Sequence, residues 1–295
     1  MSEAVPESTF AVHVDCDNLW IYETEYGVPL SDHQDLIYTQ ALPTLLDIFA
    51  RWNIRATFFV VGKELQRTSC VEFCRAAVAG GHRLGNHSFS HRVNFSRLSA
   101  SGKRDEIVNA DQAIQEATGH KPTGFRSPGY QVDRDIIATL IEGGYRYDSS
   151  ILPGPAGVMM KIYMTMIGRG RNGKSFGPWT AIFASQQAHP IGDGRIWEFP
   201  IATLPGWRLP IHSTFVYRFG VRLLDAAIAR LKRTPGHHIY LLHAIDGLDH
   251  PSPGELGRLV IPLRSTLSER RQILNRLGSL IEGRVALTEE IAASA

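Results

Sequence analysis

The chain has 295 residues, 43% hydrophobic and 20% charged, the balance of a soluble globular protein with apolar side chains enough for a large core. Lys and Arg number 31 against 29 Asp and Glu, a net charge of +2 with no basic block, which argues against disorder and against a nucleic-acid partner. Residues 1–7 lack the basic and apolar regions of a secretory signal, no stretch approaches ~18 uninterrupted apolar residues, and three cysteines are too few for a disulfide framework, so the expected compartment is the cytoplasm.

Residues 10–15 are an apolar run ending on a carboxylate, the pattern of a buried strand whose C-terminal end reaches a polar site. A polar, aromatic loop to about Asp35 is expected next. Leu42, Leu45, Leu46 and Phe49 then recur at helical spacing, with Pro43 tolerable in the first turn. Residues 56–61, β-branched and aromatic, form a second strand closed by Gly62. A helix over 64–79 stops at Gly80 and Gly81, a strand over 82–85 follows, then a helix over 103–118 and a strand over 123–126. Cys70 and Cys74 share a face of the 64–79 helix and read, like Cys16, as buried thiols without a chemical role. A helix over 133–142, ended by Gly143 and Gly144, leads into a strand over 145–148. Residues 151–195 break this rhythm with an insertion rich in Gly, Met, aromatic and basic residues. A strand over 196–200, an amphipathic helix over 216–231, a strand over 237–242, a helix over 267–281 and a strand over 285–288 complete the chain. Alternating strands and helices around one core predict an α/β fold, a parallel βα barrel in one domain spanning 1–295, with its chemistry at the C-terminal ends of the strands.

The residues at those strand ends are Asp15 and Asp17, His87 and His91, Arg126, Asp148, Glu198 and His243, a non-random set. His87 and His91 are four apart, and in one helical turn both imidazoles would face one divalent ion. Two neutral nitrogens and one carboxylate leave coordination positions open for water and substrate. Asp15 and Asp17 suggest a division of labour, one binding the ion and the other accepting a proton, because a carboxylate committed to a metal is a poor base. Which does which is not legible from the residue types.

These segments resemble the polysaccharide deacetylase family, carbohydrate esterase family 4 with its NodB-homology fold. The family's acidic motif is similar to Val14-Asp15-Cys16-Asp17, its histidine motif to His87–His91, its arginine motif to Arg126-Ser127-Pro128-Gly129-Tyr130, and its C-terminal motif to Leu242-His243. Residues 145–150 and 197–200 are similar to further family segments. The resemblance implies a distorted (β/α)7-type, NodB-like barrel in which Asp15 is the general base, Asp17, His87 and His91 bind the metal, Arg126 orients the base and His243 is the general acid. It also makes Pro128, Tyr130, Asp148, Trp197, Glu198 and Asp246 candidate substrate-site residues. The residue between the two acids departs from the family's usual pattern and resembles the Asp-x-Asp variant of the deformylases acting on undecaprenyl-linked formamido-arabinose. Asp246 reads either as fixing the His243 tautomer or as an exposed turn acid, and Arg126 reads alternatively as a structural ion pair.

The expected activity is metal-dependent removal of an N-acetyl or N-formyl group from a sugar or sugar conjugate. Zinc is the expected ion; iron, cobalt and nickel suit the same donors. Hydrolysis of a small amide, as in allantoinase-like relatives, is the alternative reaction, and a silent carbohydrate-binding protein the alternative class, though no ligand or acid is missing. Residues 158–167, followed by Arg169, Arg171 and Lys174, read either as a core-covering insertion or as an interfacial surface near anionic headgroups or a lipid-linked substrate, with Trp179 and residues 205–210 of the same character.

Overall fold

The structure, a computed structural model, describes residues 8–26, 35–92, 94–166, 177–249, 257 and 260–294. Arg169, Arg171 and Lys174 of the expected basic edge lie outside them, as does the side chain of Lys161.

Among the described residues eight strands form one sheet: β1 (Ser8–Asp15), β2 (Ala56–Val60), β3 (Arg83–Asn86), β4 (Gly124–Phe125), β5 (Tyr147–Asp148), β6 (His189–Ile191), β7 (Ile196–Glu198) and β8 (Gly236–His243). Their spatial order is β6-β7-β5-β4-β3-β2-β1-β8, and every pairing is parallel except β6 with β7. Beyond β7 the chain reaches back to β8, where Ile201 bridges Ile239 and the Ala202 N–H donates to the Ile239 carbonyl at 2.9 Å. That contact curls seven parallel strands into a distorted barrel, with β6 as an antiparallel addition.

The two faces of the sheet are both apolar, as a parallel sheet covered on each side requires. Ala11, Phe59, Tyr147, Phe199 and Ile239 fill the inside. Val12, Val14, Phe58, Val60, Tyr240 and Leu242 point outward into the larger core beneath the helices. Gly85 and Gly124 leave room for the inner rings, since a Cβ at either position would come within 2.5 Å of Phe59 or 2.1 Å of Tyr147. The outer layer comprises α1 (Leu19–Tyr26), α2 (Leu42–Arg51), α3 (Thr68–Ala79), α4 (Ala100–Thr118), α5 (Arg134–Glu142), α6 (Ala156–Met166), α7 (Ser213–Phe219), α8 (Val221–Leu231), α9 (Leu267–Ile281) and α10 (Thr288–Ser294). Ser99 and Asp133 cap α4 and α5, and Thr266 with Glu269 forms a capping box at α9, which sets where each starts.

Four expectations need correction. The loop expected after β1 contains α1. The helix expected over 64–79 is a 3-10 turn over Gly62–Gln66 followed by α3, because Arg67 is extended. The helix expected over 216–231 is broken at Gly220, whose φ of 91° is left-handed and open to glycine. The final strand is a single bridge from Val285 to Phe10, after which Thr288 begins α10. Within the insertion the structure places α6, a 3-10 turn over Trp179–Phe183, and β6.

The turn after β8 depends on a close backbone approach, because a Cβ on Gly247 would lie 2.1 Å from the Ala41 carbonyl oxygen. Gly247→Ala is therefore expected to cost about 1–3 kcal/mol in urea unfolding. Gly157→Ala, in helix α6 with nothing within 4 Å, should be neutral or gain up to ~1 kcal/mol. Equal midpoints for the two variants would contradict the packing described here.

Candidate active site

β1 alternates side chains, so His13 and Asp15 follow Ala11 onto the inner face. Asp15 is paired in register with Phe59 on β2 and with His243 on β8, which puts a carboxylate and an imidazole side by side at the C-terminal end of the sheet. Arg126, one residue past β4, projects to the same side with no exposed surface. Its Nε lies 3.2 Å from Asp15 Oδ1, an ion-pair distance without hydrogen-bond alignment. Its Nη2 donates to His13 Nδ1 at 2.7 Å and to Ser149 Oγ at 2.9 Å, and its Cζ lies 4.9 Å from the Phe59 ring centroid.

Burial first, and the guanidinium second, hold His13 well below its ordinary value, so its ring is neutral. With Nδ1 accepting from Arg126, Nε2–H donates to Thr288 Oγ1 at 2.7 Å. A chain of contacts thus runs Thr288–His13–Arg126–Asp15.

The histidine motif is not a helical turn. Residues 87–92 form a loop in which Ser88 and His91 both take left-handed backbone conformations, with φ of 64° and 48°. Such conformations cost non-glycine residues about 1–3 kcal/mol each and need outside support. Asn86 Oδ1 accepts from the Ser88 N–H at 2.8 Å, Ser88 Oγ accepts from the His91 N–H at 3.1 Å, and the Gly62 and Lys63 N–H groups bind the Ser88 and Phe89 carbonyls at 2.9 and 2.8 Å. The loop brings the two imidazole centroids to 5.0 Å, and both Nε2 atoms lie 3.4 Å from Asp17 Oδ1. His87 Nδ1–H donates to the Arg126 carbonyl at 2.7 Å, which fixes the tautomer that leaves Nε2 as a lone-pair donor.

Asp17, His87 and His91 are buried, and one ligand atom from each falls within 4.8 Å of the others. Asp17 Oδ1 has no hydrogen-bond partner despite its burial. Burial pulls His87 down, but the charges of Asp15 and Asp17 outweigh it and hold its imidazole above the ordinary value. Burial raises Asp17, yet His91 and then His87 hold it well below the usual carboxylate range. His91, lowered to about 4 chiefly by burial, is neutral at pH 7. One carboxylate oxygen without a hydrogen-bond partner and two imidazole nitrogens, gathered within 4.8 Å of one another, fit a divalent ion such as zinc.

Pro128 and Tyr130 belong to the 3-10 turn after β4, and Tyr130 packs on the Leu152, Ile201 and Leu241 cluster at the strand ends. Asp246 is fully buried, so it is not an exposed turn acid. Its Oδ2 accepts from the His243 backbone N–H at 3.0 Å, so it fixes the main chain of His243. Arg270 supports that turn by donating to the Asp246 carbonyl at 3.0 Å.

Three candidates do not reach the site. Asp148 is in register with Phe125 and Glu198, on the opposite face of the sheet from Arg126 and Ser149. There the two acids form a buried pair, with Asp148 Oδ1 accepting from Ser150 Oγ at 2.5 Å and Glu198 Oε1 from the Ile151 N–H at 3.0 Å. Burial pushes Asp148 up to about 6, and burial followed by the Asp148 charge raises Glu198 well above its ordinary value. Trp197 faces inward but in the layer of Tyr147, below Arg126, where it packs on Phe199.

The sequence reading missed His13 and His212. A period of two from Asp15 marks His13 as facing the same way, a signal that was available. His212 bridges Leu241, two residues before His243, and its buried Nδ1 has no partner. Burial first and His243 second depress it to about 3.

Residues 33–147 match the polysaccharide deacetylase family model. The chain is similar to the peptidoglycan deacetylase of Helicobacter pylori, 29% identical over 38% of this chain and 37% of that protein. It is also similar to the chitooligosaccharide deacetylase of Bradyrhizobium sp., 32% identical over 35% of this chain and 46% of that protein. The match thus spans less than half the length of either relative. A Mycobacterium smegmatis crystal structure assigned to the polysaccharide deacetylases shares the fold, with a TM-score of 0.66 at 17% identity over 100% of this chain and 92% of that one.

His87→Ala and His91→Ala are each expected to lower zinc affinity by more than the ~10–100-fold that loss of an outer hydrogen bond produces. Full zinc retention after gel filtration, measured by elemental analysis, would remove these residues from the ligand set. The outer acid pair gives a separate test. Raised folded-state values mean that the native protein binds more protons than the unfolded chain as pH rises from about 4 through the Asp148 value of about 6, so this pair's contribution to stability falls as pH rises. Glu198→Gln should flatten that decline and raise stability at pH 8 by roughly 1–2 kcal/mol. Parallel urea-midpoint profiles for parent and variant would show that the pair carries no such proton.

Proposed function

We propose that the chain carries a polysaccharide deacetylase domain of the NodB-like, carbohydrate esterase family 4 kind and that it hydrolyses the amide of an N-acylated sugar or sugar conjugate, releasing an acetyl or formyl group. The observation that supports this reading is the convergence of Asp17, His87 and His91 on one point beside the Asp15–Arg126 pair and His243. We take the ion to be zinc. When bound, it supplies positive charge that polarises the amide carbonyl and acidifies a water.

The two acids divide the work by their neighbours. Asp17 lies between two imidazoles and is spent as a ligand. Asp15 is held against Arg126 through Oδ1, an ion pair that orients the carboxylate to accept the attacking water's proton. The water oxygen bonds to the carbonyl carbon as that proton passes to Asp15. The carbon–nitrogen bond then breaks, and His243, on the opposite side of β1 from β2, donates a proton to the departing nitrogen. An amide nitrogen leaves poorly as an anion, so this second transfer carries much of the rate. Deacetylase relatives make acetyl the first group to test, and the products are a carboxylic acid and a free amino sugar.

Asp15→Asn is expected to keep its zinc and lose about 10²–10⁴-fold in turnover on N-acetylated oligosaccharides, whereas Asp17→Asn loses zinc first. His243→Ala should lose a similar factor on the amide with zinc retained, and much less on an activated ester whose leaving group needs no proton. Equal losses on amide and ester would make His243 a structural residue. Reversed zinc contents in the two Asp variants would exchange base and ligand.

A further inference from the structure

The insertion raises large apolar side chains to the surface. Among the described residues Met159 (64% exposed), Trp179 (57%), Phe183 (86%) and Trp207 (81%) are conspicuous, with Met160 and Ile162 also exposed on α6. Scattered apolar residues of this kind are ordinary, but these sit on segments bonded into one lobe. The Gly154 N–H, just before α6, donates to the Ala181 carbonyl at 2.8 Å. The Arg208 guanidinium donates to the Ala184 carbonyl, and Gln186 Nε2 donates to Thr203 Oγ1 at 2.6 Å. Gly154 also lies so close to the 204–209 turn that a Cβ there would be 2.5 Å from the Arg208 carbonyl oxygen. That turn is tight, with Leu204 and Leu209 paired at 2.8 Å and Gly206 at a φ of 84°, and it carries Trp207 at its tip.

The lobe borders the mouth of the candidate site. The Gly177 N–H donates to the Gly129 carbonyl at 2.8 Å, and Tyr130 and Ala156 pack on the same Leu152, Ile201 and Leu241 cluster, two residues below His243. The sequence that contributes it carries charge of one sign. Residues 149–192 contain Lys161, Arg169, Arg171 and Lys174 and no Asp or Glu, and residues 199–224 contain no acid either. A stretch of sequence with basic residues and no acids, carrying exposed aromatics on its described part, suits a surface of uniform negative charge. Trp and Phe rings settle at headgroup depth, and unbranched Met side chains adapt to an irregular acyl boundary. No described helix is long and apolar enough to cross a membrane, so the contact is with the bilayer surface.

We propose that the lobe formed by α6, the Trp179–Phe183 turn and the 204–209 turn seats the protein on an anionic lipid bilayer, with the mouth of the barrel toward the headgroups. The inference does not need the hydrolase reading; where both hold, a lipid-linked sugar is the conjugate this surface presents to the site.

The test is sedimentation of the full chain with vesicles of phosphatidylcholine alone or with phosphatidylglycerol, at low and high salt and without sugar substrate. The protein should sediment with the phosphatidylglycerol vesicles, less so at high salt, with a blue-shifted tryptophan emission on binding. Phe183→Ser combined with Trp207→Ser should reduce partitioning at least about tenfold while thermal midpoint and zinc content stay at parental values. Absence of vesicle binding, salt-independent binding, or binding undiminished by the double substitution would overturn the proposal. So would a concentration-dependent dimer that the same substitutions dissolve, because a second copy of the chain would then be the occupant.

Discussion

A guanidinium with no exposed surface is the constraint around which the site is arranged. Taking Arg126 out of water costs several kcal/mol unless its charge and donors are met nearby. Asp15 meets the charge, His13 and Ser149 accept its N–H groups, and Phe59 presents a ring face. Each partner is constrained in return. His13 must stay neutral to accept, so its other nitrogen donates to Thr288 and ties α10 across the base of the barrel. Arg126 acts a second way through its backbone carbonyl, which accepts a hydrogen bond from His87 Nδ1–H and turns Nε2 toward Asp17. One arginine therefore orients both the carboxylate read as the base and an imidazole read as a ligand.

The separation of Asp15 from Asp17 follows from what surrounds them rather than from the acids themselves. Both are buried at the same sheet end. One faces a permanent cation and the other two imidazoles, so only the second is free to share an ion with neutral nitrogens. The Asp148–Glu198 pair shows the opposite arrangement, two buried acids with no ion pair among the described contacts, where burial keeps a proton on the pair. Charge pairing and burial push carboxyl groups in opposite directions, and this fold uses both on the two faces of one sheet.

Much of this was legible in the sequence because strand ends are visible as apolar runs that stop on a polar residue. Asp15, Arg126 and His243 were found that way, and the barrel followed from the alternation of elements. The limits were geometric. His87 and His91 were paired by a helical spacing, yet the loop that joins them depends on left-handed Ser88 and His91, held by amides of Gly62 and Lys63 far along the chain. No local pattern announces such support. Asp148 and Glu198 sit in strands of two and three residues, where a shift of one residue changes the face and nothing in the sequence sets the parity. Val285–Thr288 is a short apolar run that length alone cannot assign, and Thr288 became the start of a helix. His212 gains its position only from a bridge to β8.

The central claim is that one divalent ion belongs to Asp17, His87 and His91 while Asp15 stays with Arg126. Anomalous diffraction from crystals grown with zinc tests it most directly. The account predicts a single strong peak about 2.0–2.2 Å from an Asp17 carboxylate oxygen and from Nε2 of both histidines, with neither Asp15 oxygen in the coordination sphere. A peak coordinated by Asp15 in place of Asp17, or zinc bound only away from the two histidines, would contradict it.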